Sequence, residues 1–117
     1  MTEKTNPRML KVWRSVHLQS IRSKDPDLTI RQMSILLSVY MTDPPHTVRG
    51  LALELNVTKP VITRALDTMG RRGLIKRRRD ENDKRSVLLQ RTVKGAVFLS
   101  ELSDRIVNAD KAIAPDA

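Results

Sequence analysis

Residues 47–79 read TVRGLALELNVTKPVITRALDTMGRRGLIKRRR, and this stretch decides the fold. Apolar residues recur at helical spacing on both sides of a short break at 56–58. The pattern predicts a short helix over 48–55 and a second helix over 59–73 whose outer face is polar. A short helix, a tight turn and a second helix with a polar outer face form a helix-turn-helix.

The residues that flank these two helices support their limits. Thr47 and Thr58 carry the hydroxyl that is preferred at a helix N-cap, and Pro60 suits a first turn because its missing N–H group is not needed there. Asn56 tolerates the left-handed conformation that ends many helices. Gly73 closes the second helix.

Two candidate strands follow the helix-turn-helix. Residues 74–79 and 86–91 are separated by the turn-forming cluster Asp-Glu-Asn-Asp at 80–83. They predict a β-hairpin over 75–91 with a polar tip and basic flanks. Because side chains alternate between the two faces of a strand, at least one of the arginines at 77–79 is expected to point inward. A helix-turn-helix followed by such a hairpin is a winged helix.

Further helices flank this module. The sequence predicts a first helix over 7–23. A capping box that begins at Thr29 opens a second helix, which ends at the Pro-containing segment 42–45. A last helix is predicted over 93–112, after an N-cap at Thr92. We therefore predict a mainly α fold with a small β-hairpin wing, a winged helix-turn-helix with flanking N- and C-terminal helices.

Each of these three helices carries an apolar stripe at helical spacing. The predicted stripes are Met9, Val12, Trp13 and Val16 in the first helix, Ile30, Met33, Leu36, Leu37 and Tyr40 in the second, and Val93, Val97, Phe98 or Leu99, Leu102, Ile106, Ala109 and Ile113 in the last. At 117 residues the chain is long enough for one domain with one modest core.

The charge of the chain is concentrated in one region. Lys and Arg number 22 against 13 Asp and Glu, a net charge of +9, and residues 59–95 hold twelve of these cations and four of the acids, a net charge of +8. A solvated surface without a partner spreads its charge more evenly. This concentration predicts a polyanionic partner, and double-stranded DNA is the polyanion that a helix-turn-helix fits.

Other classes of function lack the residues that they need. The sequence has no Cys, only His17 and His46 as imidazoles, and four Gly, which argues against nucleophilic catalysis, a metal centre or a phosphate-binding glycine loop. We expect no enzyme activity and no cofactor. No apolar run is long enough to span a membrane, and the N-terminus lacks the apolar stretch of a signal peptide, so a cytoplasmic, nucleoid-associated location is expected.

Residues 47–95 resemble the MarR (multiple antibiotic resistance regulator) family of winged-helix transcription factors. The resemblance is carried by LALELNVTKPVITRALD at 51–67, by GLIKR at 73–77 and by the wing DENDKRSVLLQRTVKG at 80–95, which is similar to the family's D-x-x-D-x-R…L-T-x-x-G run. It implies a bacterial-type DNA-binding regulator, most often a repressor, that dimerises through its first and last helices. Many members also bind a small-molecule effector.

For this chain we expect a single domain over 1–117, with a DNA-binding lobe at 29–92 that includes the wing, and flanking helices within 1–28 and 93–117. The resemblance implies that these flanking helices form a homodimer. The residues expected at the dimer interface are Met9, Val12, Trp13, Leu102 and Ile106.

Helix 59–73 is expected to lie in the major groove of DNA. Arg64 is the first candidate for base readout, because a guanidinium pairs bidentately with guanine O6 and N7, and Thr63 is a candidate for a base edge or a thymine methyl group. Thr58 and Lys59 stand at the helix N-terminus, where a phosphate is favoured, although a plain cap and a solvated lysine explain them equally well. The contact residues expected here are Thr58, Lys59, Pro60, Thr63 and Arg64.

The wing, taken as 76–91, is expected to reach the minor groove. A narrow minor groove attracts arginine, and Arg85 at the tip is the candidate for it. Lys76 and Lys84 are expected to bind phosphates. Asp83 is expected to orient Arg85 or another wing arginine.

Other charged residues are expected to have structural roles. The resemblance implies that Asp67 and Arg77 form a pair that braces the wing against the recognition helix. Arg71 and Arg72 lie near the end of that helix, and a favourable interaction with the helix dipole explains them. Two alternatives to a sequence-specific regulator remain open at this point: a weakly specific architectural DNA-binding protein, and a winged helix used for protein contacts.

Overall fold

The computed structural model describes residues 6–115. The elements, in chain order, are α1 (Pro7–Arg22), α2 (Ile30–Met41), α3 (Val48–Leu55), α4 (Lys59–Arg71), β1 (Ile75–Arg79), β2 (Val87–Arg91) and α5 (Val93–Ala112). The mainly α fold with a β-hairpin is confirmed, and α3 has the predicted limits. The predicted end of α4 was two residues too late, because Gly73 adopts a φ of 73° and turns the chain towards β1.

The contacts within the chain divide it into two compact units. The central unit spans residues 28–97 and contains α2, α3, α4 and the hairpin. The terminal unit comprises, within the described part of the chain, residues 6–27 and 98–115. The first turn of α5 belongs to the central unit and the rest of this helix to the terminal unit.

Local interactions start α2 and α3, and end α3, as predicted. The N–H group of Gln32 donates to Thr29 Oγ1 at 3.0 Å, and the N–H group of Thr29 donates to Gln32 Oε1 at 2.9 Å, which completes the capping box of α2. Thr47 Oγ1 accepts the N–H group of Gly50 at 2.9 Å and caps α3. Asn56 ends α3 with a φ of 55°.

The core of the central unit is formed by apolar side chains of α2, α3 and α4 and of the turn that follows α4. Its most deeply buried members are Ile35, Leu36, Val39, Leu51, Ile62, Leu66, Met69 and Leu74. The predicted stripe of α2 was therefore wrong at two positions: Ile30 is 89% exposed and Leu37 is exposed as well, and Ile35 and Val39 are buried instead. Apolar residues lie on most sides of α2, so its periodicity fits two phases, and only packing against α4 selects one.

The terminal unit packs α1 against the C-terminal part of α5. Val12, Val16 and Ala109 form its buried cluster, and Leu102 and Ile113 pack against it. Two ion pairs join the same helices and the segment after α1: Arg8 to Asp110 at 2.7 Å and Arg105 to Asp25 at 2.6 Å.

Several residues of the predicted stripes are exposed instead of buried. In α1, Met9 and Trp13 face solvent, and Trp13 is 55% exposed. In α5, Val93, Val97 and Ile106 are exposed, whereas Phe98 and Leu99 are both buried. The predicted stripe of this helix was therefore wrong at Val93, Val97 and Ile106. Four consecutive apolar residues at 96–99 leave the start of α5 without a unique apolar face in the sequence.

The hairpin is held in register by antiparallel pairing. Ile75 pairs with Arg91 and Arg79 pairs with Val87. The N–H group of Leu89 also donates to the carbonyl oxygen of His46 at 2.9 Å, beside an isolated bridge between Thr47 and Leu88. This pairing of β2 with residues 46 and 47 anchors the wing to the start of α3, and the sequence did not predict it.

One hydroxyl group joins three parts of the central unit. Tyr40 Oη donates to the carbonyl oxygen of Leu74 at 2.6 Å and accepts the N–H group of Thr92 at 2.8 Å. Thr92 Oγ1 in turn donates to the carbonyl oxygen of Gly73 at 2.7 Å and accepts the N–H group of Gly95 at 2.9 Å. The end of α2, the turn between α4 and β1, and the start of α5 are thereby fixed to one another.

This junction leaves no room for a side chain at position 95. A Cβ atom built on Gly95 would overlap both Tyr40 Oη and the carbonyl oxygen of Leu74. Gly70, also in a helix, differs in this respect, since its Cβ atom would meet Arg77 Nη2 at an ordinary 3.9 Å.

We expect Gly95→Ala to lower the free energy of unfolding by about 3 kcal/mol, because the methyl group must push apart a buried hydrogen-bonded junction. Gly70→Ala is the matched control and should raise the stability by up to about 1 kcal/mol through helix propensity. Urea unfolding of both variants measures the difference. Equal stabilities for the two variants would show that the junction is not tightly packed.

Candidate nucleic-acid interface

The outer face of α4 is polar and open to solvent. Ile62, Ala65, Leu66 and Met69 are buried in the central unit, and this leaves the opposite side of the helix exposed. The exposed residues in the first two turns are Lys59, Pro60, Thr63 and Arg64. All four are residues that the sequence nominated for contact with DNA, so the fold places them on one accessible surface.

The N-terminus of α4 is capped differently from that of α3. Thr58 has the extended conformation of an N-cap residue, but its side chain makes no capping hydrogen bond. Thr47, in the same position on α3, makes one. The hydroxyl of Thr58 is thus not occupied in capping the start of α4. The Lys59 side chain is exposed beside it.

An ion pair links α4 to the wing. Arg77 Nη1 on β1 lies 2.8 Å from Asp67 Oδ1 on α4, and the two side chains are 39% and 47% exposed. The pair that the family resemblance implied is therefore present as a contact. A pair this exposed contributes little to stability, about 0–1 kcal/mol, but it is a direct contact between the first strand of the wing and α4.

The tip of the wing is organised by carboxylates that bind main-chain groups. Asp80 Oδ1 accepts the N–H group of Asn82 at 2.9 Å, and Asp83 Oδ1 accepts the N–H group of Arg85 at 3.1 Å. Asp83 was expected to orient the side chain of an arginine. In the structure it shapes the main chain of the tip instead, because a short Asp side chain two residues earlier reaches the N–H group of Arg85. Arg85 and Lys84 are both exposed at this tip.

The expectation that one of the three consecutive arginines of β1 points inward was wrong. Arg77, Arg78 and Arg79 are all exposed, and Arg77 turns to Asp67 while Arg78 lies 3.4 Å from Glu81. Lys76, the phosphate candidate on the same strand, is exposed as well.

Arg91 on β2, although exposed, binds the end of α2, and sequence reasoning missed this contact. Its Nε donates to the carbonyl oxygen of Val39 at 2.8 Å and its Nη2 to that of Thr42 at 2.9 Å. These carbonyl groups lie at the C-terminus of α2, where a cation satisfies free acceptors and the helix dipole. No local signal identifies this role, since Arg91 and α2 are about fifty residues apart in the sequence.

The two histidines lie in different units. His46 is nearly buried and its Nε2 lies 3.1 Å from the carbonyl oxygen of Thr42. His17 is exposed on α1, where its ring meets Trp13 edge-on with centroids 4.3 Å apart. Between residues 6 and 115, no group of three His, Cys, Asp or Glu side chains is placed to hold a metal ion. No helix in that range is long and apolar enough to cross a bilayer.

Comparison with known families identifies the chain. The model of the MarR family matches residues 28–87, which is the central unit up to the start of β2. The chain belongs to the MarR family. It is a winged-helix transcriptional regulator, as members of the MarR family are DNA-binding regulators and not enzymes.

Solved structures of MarR-type regulators have the same fold. MepR of S. aureus, in a complex with DNA, is 20% identical, with a TM-score of 0.72 over 91% of this chain and 82% of that chain. The transcriptional repressor CouR, bound to a 23-mer DNA duplex, is 25% identical, with a TM-score of 0.70 over 91% and 72%. PcaV from Streptomyces coelicolor, in complex with its natural ligand, is 24% identical, with a TM-score of 0.64 over 91% and 73%.

Proposed function

We propose that this MarR-family protein is a sequence-specific repressor that binds a pseudo-palindromic DNA site as a homodimer. The observation that carries the proposal is that Arg64 stands exposed on α4 while the Asp67–Arg77 pair ties the basic wing to the same helix. A recognition helix and a wing held in this way engage adjacent grooves of one duplex. The similar proteins MepR and CouR were solved with DNA, and CouR is a repressor.

In this proposal α4 enters the major groove and reads the sequence. Arg64 pairs with a guanine, and Thr63 contacts a neighbouring base edge or a thymine methyl group. Pro60 presents an apolar ring on the same surface. Thr58 and Lys59 bind the phosphate that approaches the helix N-terminus.

The wing adds contacts outside the major groove. Arg85 at the tip enters the minor groove, where the electrostatic potential is most negative. Lys76 and Lys84 bind phosphates on either side. Asp67 and Arg77 hold the strand, and the carboxylate of Asp83 holds the tip, so that none of these three contacts DNA itself.

The dimer forms through the flanking helices in 1–28 and 93–117, and residues 29–92 form the DNA-binding lobe. Met9, Trp13 and Ile106 are exposed apolar residues available for this interface. Val12 and Leu102, also nominated from the sequence, pack within the terminal unit and support the interface from beneath. Two-fold symmetry then places two recognition helices about 34 Å apart, on half-sites one helical turn apart.

Arg64→Ala tests the reading of bases by α4. We expect the wild-type protein to bind at least one genomic fragment about a thousand-fold more tightly than random duplex. The variant should reduce this ratio by about 5- to 150-fold, the loss of one bidentate contact, and should change binding to random duplex little. Arg14→Ala, which removes the same charge from an exposed position on α1, is the control and should keep the ratio.

Two results of the Arg64 experiment contradict the proposal. If the wild-type protein binds all sequences alike with a steep dependence on salt, it is an architectural DNA-binding protein. If Arg64→Ala keeps the full ratio, the base-reading residue lies elsewhere.

Trp13→Arg tests the dimer. Light scattering at micromolar concentration should give twice the chain mass of 13.3 kDa for the wild type and the single-chain mass for the variant, because a charge at the centre of an apolar interface is left without a partner. Leu53→Arg, at an exposed apolar position on α3, should remain dimeric. A wild-type mass of 13.3 kDa would refute the dimer.

A further inference from the structure

A groove runs between the C-terminal half of α4 and the first residues of β1. Its volume is about 620 Å³. Arg71 lies on the helical wall, Lys76 on the strand wall, and Asp67, Gly70 and Arg77 line it between them. At Gly70 there is room for a side chain, since a Cβ atom would find no neighbour closer than 3.9 Å.

The groove carries a net positive charge. Asp67 is the one carboxylate among the residues that line it, and this carboxylate is paired with Arg77 at 2.8 Å. Arg71 and Lys76 remain, one on each wall. Neither forms an ion pair within residues 6–115; Arg71 makes only a long 3.4 Å contact with Thr68 Oγ1. Two cations without a carboxylate partner thus face each other across an open channel.

The position of Arg71 on α4 relates the groove to the proposed DNA-binding face. Arg64 and Arg71 are seven residues apart, which is almost two full helical turns, so both side chains lie on the same side of the helix, about 10 Å apart along its axis. A favourable interaction with the helix dipole does not require Arg71 to lie on the same side of α4 as Arg64. Arg72, the C-cap residue, can interact with the dipole equally well.

We infer that this groove receives the sugar-phosphate backbone of the duplex that α4 reads, with Arg71 and Lys76 each binding a phosphate from opposite walls. The inference rests on the proposed function and adds Arg71 to its contacts. The pairing of Asp67 with Arg77 then has a second effect besides bracing the wing. The arginine neutralises the negative charge of a carboxylate that would otherwise repel the phosphates.

The test measures how the affinity for a random-sequence duplex depends on salt, so that no operator is needed. Each phosphate that a cation neutralises contributes about 0.9 to the slope of log K against log salt concentration. Arg71→Gln and Lys76→Gln should each lower the slope by about 1, and Arg71→Lys should restore it. Arg72→Gln removes the same charge from the neighbouring residue outside the groove and should leave the slope unchanged.

A second pair of variants probes the groove itself. Gly70→Glu places a carboxylate in the groove and should weaken binding to the random duplex, whereas Gly70→Ala, which adds only a methyl group at ordinary van der Waals distance from Arg77, should not. Circular dichroism confirms that each variant is folded before binding is compared.

The outcomes separate this inference from the function on which it rests. If the wild-type protein does not bind duplex DNA, the proposed function fails. If it binds and Arg71→Gln keeps the wild-type slope, or Arg72→Gln lowers the slope as much as Arg71→Gln does, only the groove assignment is overturned.

Discussion

The hydroxyl group of Tyr40 is the contact on which the arrangement of the central unit depends. It donates to the carbonyl oxygen of Leu74 and accepts the N–H group of Thr92. Helix α4 ends just before Leu74, and α5 begins just after Thr92. Because Gly95 has no side chain, the first turn of α5 packs directly against Tyr40 and the carbonyl oxygen of Leu74. This packing explains the Thr-x-x-Gly pattern at 92–95: Thr92 bonds to the turn after α4, and no residue larger than glycine fits at position 95.

The wing is held by three contacts around this junction. The Asp67–Arg77 pair binds its first strand to α4, Arg91 binds its second strand to the end of α2, and the main chain of His46 pairs with Leu89. The tip itself is shaped by Asp80 and Asp83. Asp67, Asp80 and Asp83 therefore all bind groups within the central unit. The cations Lys76, Lys84 and Arg85 remain exposed on the surface of the wing.

The features that the sequence predicted correctly are those with local causes. Thr47 caps α3 and Asn56 ends it through atoms within four residues, so the limits of this helix follow from residue types alone. The buried phase of α2 and the role of Arg91 depend on partners far along the chain, and periodicity did not find them. The sequence likewise did not indicate that Thr58 makes no capping bond. It also did not place Arg71 in a groove, because the other wall of that groove is formed by β1.

The central claim is that α4 reads a DNA sequence, and selection of bound molecules from a random duplex pool tests it most directly. The wild-type protein should enrich one sequence, composed of two half-sites related by two-fold symmetry with centres about 10 base pairs apart. A pool that shows no enriched sequence after repeated rounds, although the protein retains salt-dependent binding to DNA, would contradict the account.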